Sequence, residues 1–171
     1  MSKSNQQITF KGKPIAVSGH EVKEGSVVPD FTLTAKDMSD LTINTFKGKT
    51  VVISVVPSLD TPVCSRQTKR FNDEAGKLSS DVVILTVSRD LPMAQARWCG
   101  AEGADKVVVA SDYKYRTFGQ AFGVDLESLG LLARSVFIVD KNGKIAYADY
   151  VPEVAEEPNY DEVLAKLKQL S

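Results

Sequence analysis

A chain of 171 residues, 43% hydrophobic and 25% charged, has the composition of one soluble domain, residues 1–171, with a sizeable core. A formal net charge of −1, without runs of like charge, provides no field that would attract nucleic acid or an anionic membrane, so we expect neither partner. Two cysteines are too few for a disulfide-stapled secreted scaffold, and neither a signal sequence nor a span of ~20 apolar residues is apparent, which predicts a cytoplasmic protein.

The first third of the chain is predicted to form short strands. Two pairs of apolar segments indicate two hairpins, the first of them N-terminal: residues 8–10 with 15–17, and residues 31–33 with 41–43. Residues 50–56 form a β-branched run of the kind that is buried on both faces of a parallel sheet, and Pro57 ends it.

Helices and strands alternate in the rest of the chain. The predicted helices are 62–76, 92–100, 115–122 and a C-terminal helix with the apolar side Tyr160, Val163, Leu164, Leu167 and Leu170. The predicted strands are 82–87, 106–110, 135–139 and 144–151. We expect Asp90 to cap the second helix and Asn142-Gly143 to form the turn of a C-terminal hairpin. This order predicts a three-layer α/β sandwich with a mixed sheet, but it leaves several strand orders open.

Cys64 is the most informative residue, because it follows the buried strand and falls in the first turn of a helix. Thr61 is a good N-cap, with a hydroxyl that can accept a backbone N–H, and Pro62 suits the first helical position. Cys64 is then the third helical residue, where unpaired N–H groups and the helix dipole favour an anion. We therefore expect its thiolate to form more readily than that of a free cysteine.

Several kinds of cysteine chemistry lack the residues they need. The only histidine, His20, lies in a polar stretch near the N-terminus, so a cysteine–histidine protease pair would depend on a chance contact across the fold. Two cysteines and one histidine without close spacing make a structural zinc site improbable. No Cys-x-x-Cys is present, which argues against an ordinary thioredoxin or disulfide isomerase.

Three segments resemble the peroxiredoxins. The spacing Pro57-x-x-x-Thr61-x-x-Cys64 is similar to their active site, and residues 90–103 resemble the second-cysteine segment of the bacterial thiol peroxidase branch, an atypical 2-Cys group. Residues 132–140 are similar to the strand that carries the arginine of that family. Pro62 departs from the glycine that is frequent in the family, and the helix start accommodates it.

The resemblance implies a thioredoxin-like fold and a peroxidase that needs no metal or organic cofactor. Cys64 would attack hydrogen peroxide or an organic hydroperoxide, and Cys99 would resolve the sulfenic acid in a Cys64–Cys99 disulfide. Arg134 and Thr61 would hold the peroxide, and Pro57 would shield the thiolate from water. Thioredoxin would reduce the disulfide, and the protein would be a homodimer.

Each candidate also has a plain structural interpretation. Cys99 can be an inert buried thiol beside a tryptophan, Arg134 a surface arginine at a strand end, Thr61 an N-cap and Pro57 a strand stop. A thiol–disulfide reductase and a non-enzymatic binding domain remain alternatives to a peroxidase. If the disulfide does form, two cysteines near the ends of different helices are too far apart to bridge, so the first turn at Cys64 and the last turn at Cys99 would unwind on oxidation.

Overall fold

The computed structural model describes residues 7–170. The strands are β1 (Ile8–Phe10), β2 (Lys13–Ile15), β3 (Leu33–Ala35), β4 (Asp40–Leu41), β5 (Thr50–Val55), β6 (Val82–Ser88), β7 (Val108–Ser111), β8 (Asp125–Leu126), β9 (Leu131–Leu132), β10 (Ser135–Val139) and β11 (Ile145–Tyr150). The helices are α1 (Pro62–Ala75), α2 (Pro92–Glu102), α3 (Thr117–Phe122) and α4 (Tyr160–Leu170), and a 3₁₀ turn lies at Ile43–Phe46.

The central sheet has seven strands in the order β11-β10-β5-β6-β7-β3-β4. The neighbours β5, β6 and β7 are parallel, whereas β10 and β11 on one side and β3 and β4 on the other pair antiparallel. The predicted mixed sheet is therefore confirmed. Because β5 has a partner on each side and both of its faces are covered, all six of its residues are buried.

The two faces of the sheet belong to two separate apolar clusters. Val51, Ile53 and Val55 of β5 point into a cluster with the rings of α3, whereas Val52 points to the opposite face. That opposite cluster contains residues of α1, α2 and α4. The sheet thus lies between helices on both faces, as a three-layer α/β sandwich requires.

The N-terminal β-hairpin is confirmed, but its second strand lies two residues earlier than predicted. Lys11 and Gly12 both have a left-handed backbone, with φ of 51° and 79°, and they form a two-residue turn. This turn places Phe10 opposite Lys13, so β2 is Lys13–Ile15.

Other elements also differ from the sequence prediction. The second hairpin begins at Leu33 and not at Phe31. Phe31 lies before the strand and packs in the core, where its ring centroid is 5.3 Å from that of Phe118. The helix α2 continues through Gly100 to Glu102 and ends at Gly103, which has a left-handed φ of 64°. The short pair β8–β9 has too few residues for a periodic pattern, and the sequence did not indicate it.

Within residues 7–170, no helix combines the length and the apolar character that a membrane crossing requires.

Candidate active site

Cys64 lies where the sequence predicts it. The strand β5 ends at Val55, a short loop follows, and α1 begins at Pro62, so Cys64 is the third residue of the helix. Its side chain is fully buried, although Thr61 and Pro62 beside it are exposed. The exposed N-terminal edge of α1 therefore lies next to the buried sulfur in the chain.

Arg134 contacts Cys64 directly. Its Nη2 lies 3.2 Å from Cys64 Sγ, its Nη1 donates to Gln67 Oε1 at 2.8 Å, and its Nε donates to the carbonyl oxygen of Val154 at 2.8 Å. The sheet explains this proximity, because Ser135 at the start of β10 pairs with Val55 at the end of β5. The side chain is only 2% exposed, so Arg134 is not the surface residue of the plain interpretation.

In the described part of the chain, the charge of Arg134 has no carboxylate partner. Among residues 7–170, no Asp or Glu oxygen lies within 4.0 Å of its guanidinium. Its acceptors are a neutral amide, a backbone carbonyl and the sulfur of Cys64. Because a buried cation without a counter-charge is costly, the guanidinium depends on these three acceptors.

Gln67 is a residue of this site that the sequence analysis missed. It is fully buried, and its amide accepts from Arg134 and donates to Ser54 Oγ at 2.7 Å. Residues three apart share one face of a helix, so a polar Gln67 three positions after Cys64 on a buried helix was the available signal. Gln67 thus holds the guanidinium through Nη1, while Nη2 contacts the sulfur.

Thr61 occupies the N-cap position, but the predicted cap hydrogen bond is wrong. Its hydroxyl accepts no helix N–H; Thr61 Oγ1 instead donates to the carbonyl oxygen of Ser58 at 2.9 Å. The backbone N–H of Thr61 donates to the same carbonyl at 3.2 Å, which closes a turn before the helix. The oxygen lone pairs of Thr61 are thereby left for another donor. Pro57 is buried at the end of β5.

Asp90 does not cap α2 as predicted, since Leu91 is the N-cap residue of that helix. Its carboxylate turns toward the loop before α1, where Oδ1 accepts from Ser58 Oγ at 2.7 Å and Oδ2 accepts from the Leu59 N–H at 2.8 Å. A third bond, also 2.8 Å long, comes from Ser88 Oγ. These three hydrogen bonds stabilise the carboxylate more than the one hydrogen bond of a helix cap would.

Cys99 lies in the last turn of α2, and its side chain is 6% exposed. Its backbone carbonyl accepts from the N–H groups of Gly103 and Ala104, which complete the end of the helix. Both cysteines are free thiols and belong to the same apolar cluster, together with Trp98. Burial raises the pKa of the Cys99 thiol above its ordinary value, an effect that the positive charge of Lys36 opposes.

The positions of His20 and of the metal-ligating residue types bear on the protease pair and the zinc site that the sequence disfavoured. His20 is exposed on its loop, and in the described part of the chain the hydrogen-bond partner of Cys64 Sγ is Arg134, not a histidine. Over the same residues, 7–170, no group of three His, Cys, Asp or Glu side chains could hold a metal ion.

The family model described as Redoxin matches residues 23–164. The chain is 52% identical over 164 residues to the thiol peroxidase of Bacillus subtilis, covering 96% of this chain and 98% of that protein. It is 47% identical to the thiol peroxidase of Staphylococcus haemolyticus, with coverage of 96% and 99%. Among solved structures, a peroxiredoxin-like protein from Aquifex aeolicus superposes over the full length of both chains with a TM-score of 0.91 at 42% identity. The expected thioredoxin-like fold is thereby confirmed.

Proposed function

The chain belongs to the bacterial thiol peroxidases of the Redoxin family, and we propose that it reduces hydroperoxides through a sulfenic acid on Cys64 that Cys99 resolves. The observation that carries this proposal is the 3.2 Å contact between Cys64 and a buried Arg134 that has no carboxylate partner in the described chain. A permanently charged donor beside the sulfur replaces the imidazole that other cysteine enzymes use.

The first step is a displacement at oxygen. The Cys64 thiolate attacks the terminal oxygen of a hydroperoxide, a sulfur–oxygen bond forms, and the oxygen–oxygen bond breaks. The leaving alkoxide or hydroxide takes up a proton and departs as alcohol or water. Cys64 is oxidised to the sulfenic acid, and the peroxide is reduced by the same two electrons.

The surrounding groups suit this step. Arg134 can turn N–H donors toward the peroxide while it contacts the sulfur, which stabilises charge on both reacting atoms. The hydroxyl of Thr61 donates its hydrogen bond to the Ser58 carbonyl, so its oxygen is available to accept a hydrogen bond from the O–H of the peroxide. Pro57 is buried beside the loop and has no N–H to donate to water, which supports a shielding role.

The second step joins the two cysteines. The Cys99 thiol attacks the sulfenic acid, a disulfide forms, and water leaves. Since both thiols are buried near the ends of different helices, this step requires the first turn of α1 and the last turn of α2 to unwind. Equal amide-exchange protection of these two turns in the reduced and oxidised protein would count against the unwinding.

The cycle then needs a dithiol. We include thioredoxin as this reductant. Its dithiol is oxidised to a disulfide, and the Cys64–Cys99 disulfide is reduced to two thiols. A homodimer, a cytoplasmic location, one domain over residues 1–171 and the absence of any cofactor complete the proposal. These features rest on the family resemblance and on composition.

Stopped-flow oxidation tests the proposal. Pre-reduced protein is mixed with sub-stoichiometric hydrogen peroxide or a bulky alkyl hydroperoxide, and the fluorescence of the single tryptophan, Trp98, is followed. A peroxidase should react orders of magnitude faster than free cysteine, whereas a disulfide reductase should prefer disulfides and a binding domain should show neither reaction. Cys64→Ser should abolish peroxide consumption, and Cys99→Ser should stop the reaction at the sulfenic acid. A Cys64→Ser variant with normal turnover would refute the proposal.

A further inference from the structure

The carboxylate of Asp90 joins the segments that carry the two cysteines. It lies between the end of β6 and the start of α2, the helix that carries Cys99. Its two oxygens accept from Ser58 Oγ and the Leu59 N–H, in the loop that leads to the Cys64 helix. Charge-assisted bonds of this kind are stronger than neutral ones, and two of them fix both the position and the orientation of a loop.

The loop transmits this constraint to Thr61. Ser58, whose side chain donates to Asp90, uses its carbonyl to accept both the backbone N–H and the hydroxyl of Thr61. The direction in which the Thr61 oxygen presents its lone pairs therefore depends on where Asp90 holds Ser58. Thr61 itself is exposed, and although its carbonyl accepts from the Ser65 N–H at 3.0 Å, its side chain makes no cap hydrogen bond to the helix. The bond to the Ser58 carbonyl is therefore what orients the hydroxyl.

A second set of bonds connects Asp90 to α2. Ser88 Oγ donates to Asp90 and accepts from Gln95 Nε2 at 3.0 Å, and Gln95 also donates to the carbonyl of Ala110 at 2.9 Å. Gln95 precedes Cys99 by one helical turn and is fully buried. The same carboxylate thus anchors α2 and the loop before α1 in one arrangement.

We propose that Asp90 is a positioning residue for peroxide reduction, which holds the Ser58–Thr61 turn so that Thr61 and Cys64 engage the peroxide together. This inference rests on the proposed function, because it concerns the first step of that reaction. A displacement of about 1 Å in a reacting group can cost on the order of 100-fold in rate. Releasing the turn should accordingly slow sulfenic acid formation without altering Cys64 itself.

The test compares Asp90→Asn with Asp60→Asn. Asp60 is exposed in the same loop, and among residues 7–170 its side chain accepts no hydrogen bond, so its replacement removes the same charge without releasing the turn. The second-order rate constant with hydrogen peroxide is measured per titrated Cys64 thiol, at a temperature where circular dichroism shows each variant fully folded. We expect a decrease of about 10- to 100-fold for Asp90→Asn and a change of less than about twofold for Asp60→Asn.

A merely structural role of Asp90 would lower stability or the number of reactive thiols, but it would leave the rate per thiol unchanged. Asp90→Asn should also accelerate amide exchange at Leu59, whose N–H donates to the carboxylate. The steady-state kcat/KM for thioredoxin should not change, because disulfide reduction does not use Thr61.

A second variant keeps the proposal testable if Asp90→Asn does not fold. Ser58→Ala leaves the carboxylate in place but removes the bond from Ser58 Oγ to Asp90, together with the bond that this oxygen accepts from the Asp60 N–H at 3.2 Å. It should lower the same rate constant, because it releases the same turn. The two effects should be less than additive in the double variant, since both act on one turn. Unchanged rates per thiol in both single variants would overturn the inference while leaving the proposed function intact. Failure of the proposed function would appear instead in the unmodified protein, as a reaction no faster than that of free cysteine.

Discussion

Arg134 Nη2 lies 3.2 Å from Cys64 Sγ, although 70 residues separate the two in the chain. The contact exists because β10 pairs antiparallel with β5, so that the start of one strand lies beside the end of the other. The guanidinium is fixed by Gln67 and the Val154 carbonyl, and its Nη2 donates to the sulfur. The geometry of the site is thus a property of the sheet as much as of the helix that carries the cysteine.

Replacing Arg134 with lysine should slow the reaction with peroxide by about 100-fold, even though the positive charge is retained. An ammonium group is a compact charge on a flexible stem, and it cannot reproduce the three directed contacts that the planar guanidinium makes to Cys64, Gln67 and Val154. The rate of Cys64 oxidation in stopped flow measures the effect. Arg97→Lys, an exposed change on α2, is the control. A rate for Arg134→Lys within twofold of the unmodified protein would show that charge alone suffices.

Cys99 in the reduced, folded protein should react slowly with a thiol-alkylating agent at neutral pH. Burial raises its pKa, so the folded state keeps the proton to a higher pH than an unfolded chain does. The neutral Cys99 thiol therefore contributes to the free energy of unfolding at neutral pH. This contribution is lost as the pH rises above 9.0, the ordinary pKa of a cysteine thiol, and through the raised pKa of the folded state.

The Cys64→Ser variant isolates Cys99 for this measurement. The alkylation rate of the urea-unfolded variant should stop rising once its thiol is fully ionised. The rate of the folded variant should continue to rise at higher pH, because its thiol ionises later. Equal alkylation rates for the folded and unfolded protein across the range would contradict both the burial and the direction of the shift.

Gly100→Ala should stabilise the reduced protein and slow the formation of the disulfide. Gly100 is a helical residue next to Cys99, and a β-carbon built there meets no atom within 4 Å. Alanine in place of glycine stabilises a helix interior by roughly 0.5–1 kcal/mol. If the last turn of α2 must unwind before Cys99 can reach Cys64, this energy opposes the second step but not the first.

Two rates distinguish the steps in Gly100→Ala. Sulfenic acid formation should be unchanged, whereas disulfide formation, followed by acid quenching and mass spectrometry, should slow by about two- to fivefold, with more over-oxidation of Cys64 at high peroxide. Disulfide formation at the original rate in a demonstrably more stable variant would mean that α2 does not unwind.

Gly119→Ala should have the opposite effect on stability. A β-carbon at Gly119 would lie 2.6 Å from Arg89 Nη2 and 3.0 Å from Leu132 Cδ2. Arg89 is buried and is held by Asp112 and Asp125, at 3.3 and 2.7 Å, so it has little freedom to withdraw. Overpacking of this kind costs about 1–3 kcal/mol, which denaturant unfolding would measure as a lower midpoint at an unchanged slope. Since α3 and Cys64 belong to different apolar clusters, on opposite faces of the sheet, peroxide reactivity per thiol should be retained. An unaltered midpoint would show that Arg89 can move.

The local features of the site were accessible from the sequence. The β-branched run before Pro57 and the helix start at Pro62 placed Cys64 at the third helical position, where the structure has it. The capping hydrogen bonds were predicted less accurately than the helix starts, because one side chain could bond in two ways. The hydroxyl of Thr61 and the carboxylate of Asp90 both suited a helix cap, and both are used instead in the loop between β5 and α1.

Short-range patterns along the chain were enough to establish the fold class and the unusual situation of one cysteine, because strand periodicity, helix starts and turns depend on neighbouring residues. Which residues surround that cysteine was decided by the folded sheet. The pairing of β5 with β10 brings Arg134 to the sulfur, and the parallel order of β5 and β6 brings Asp90 to Ser58. Contacts between residues so distant in sequence arise only when strands pair and helices pack, so no local pattern of amino acids encodes them.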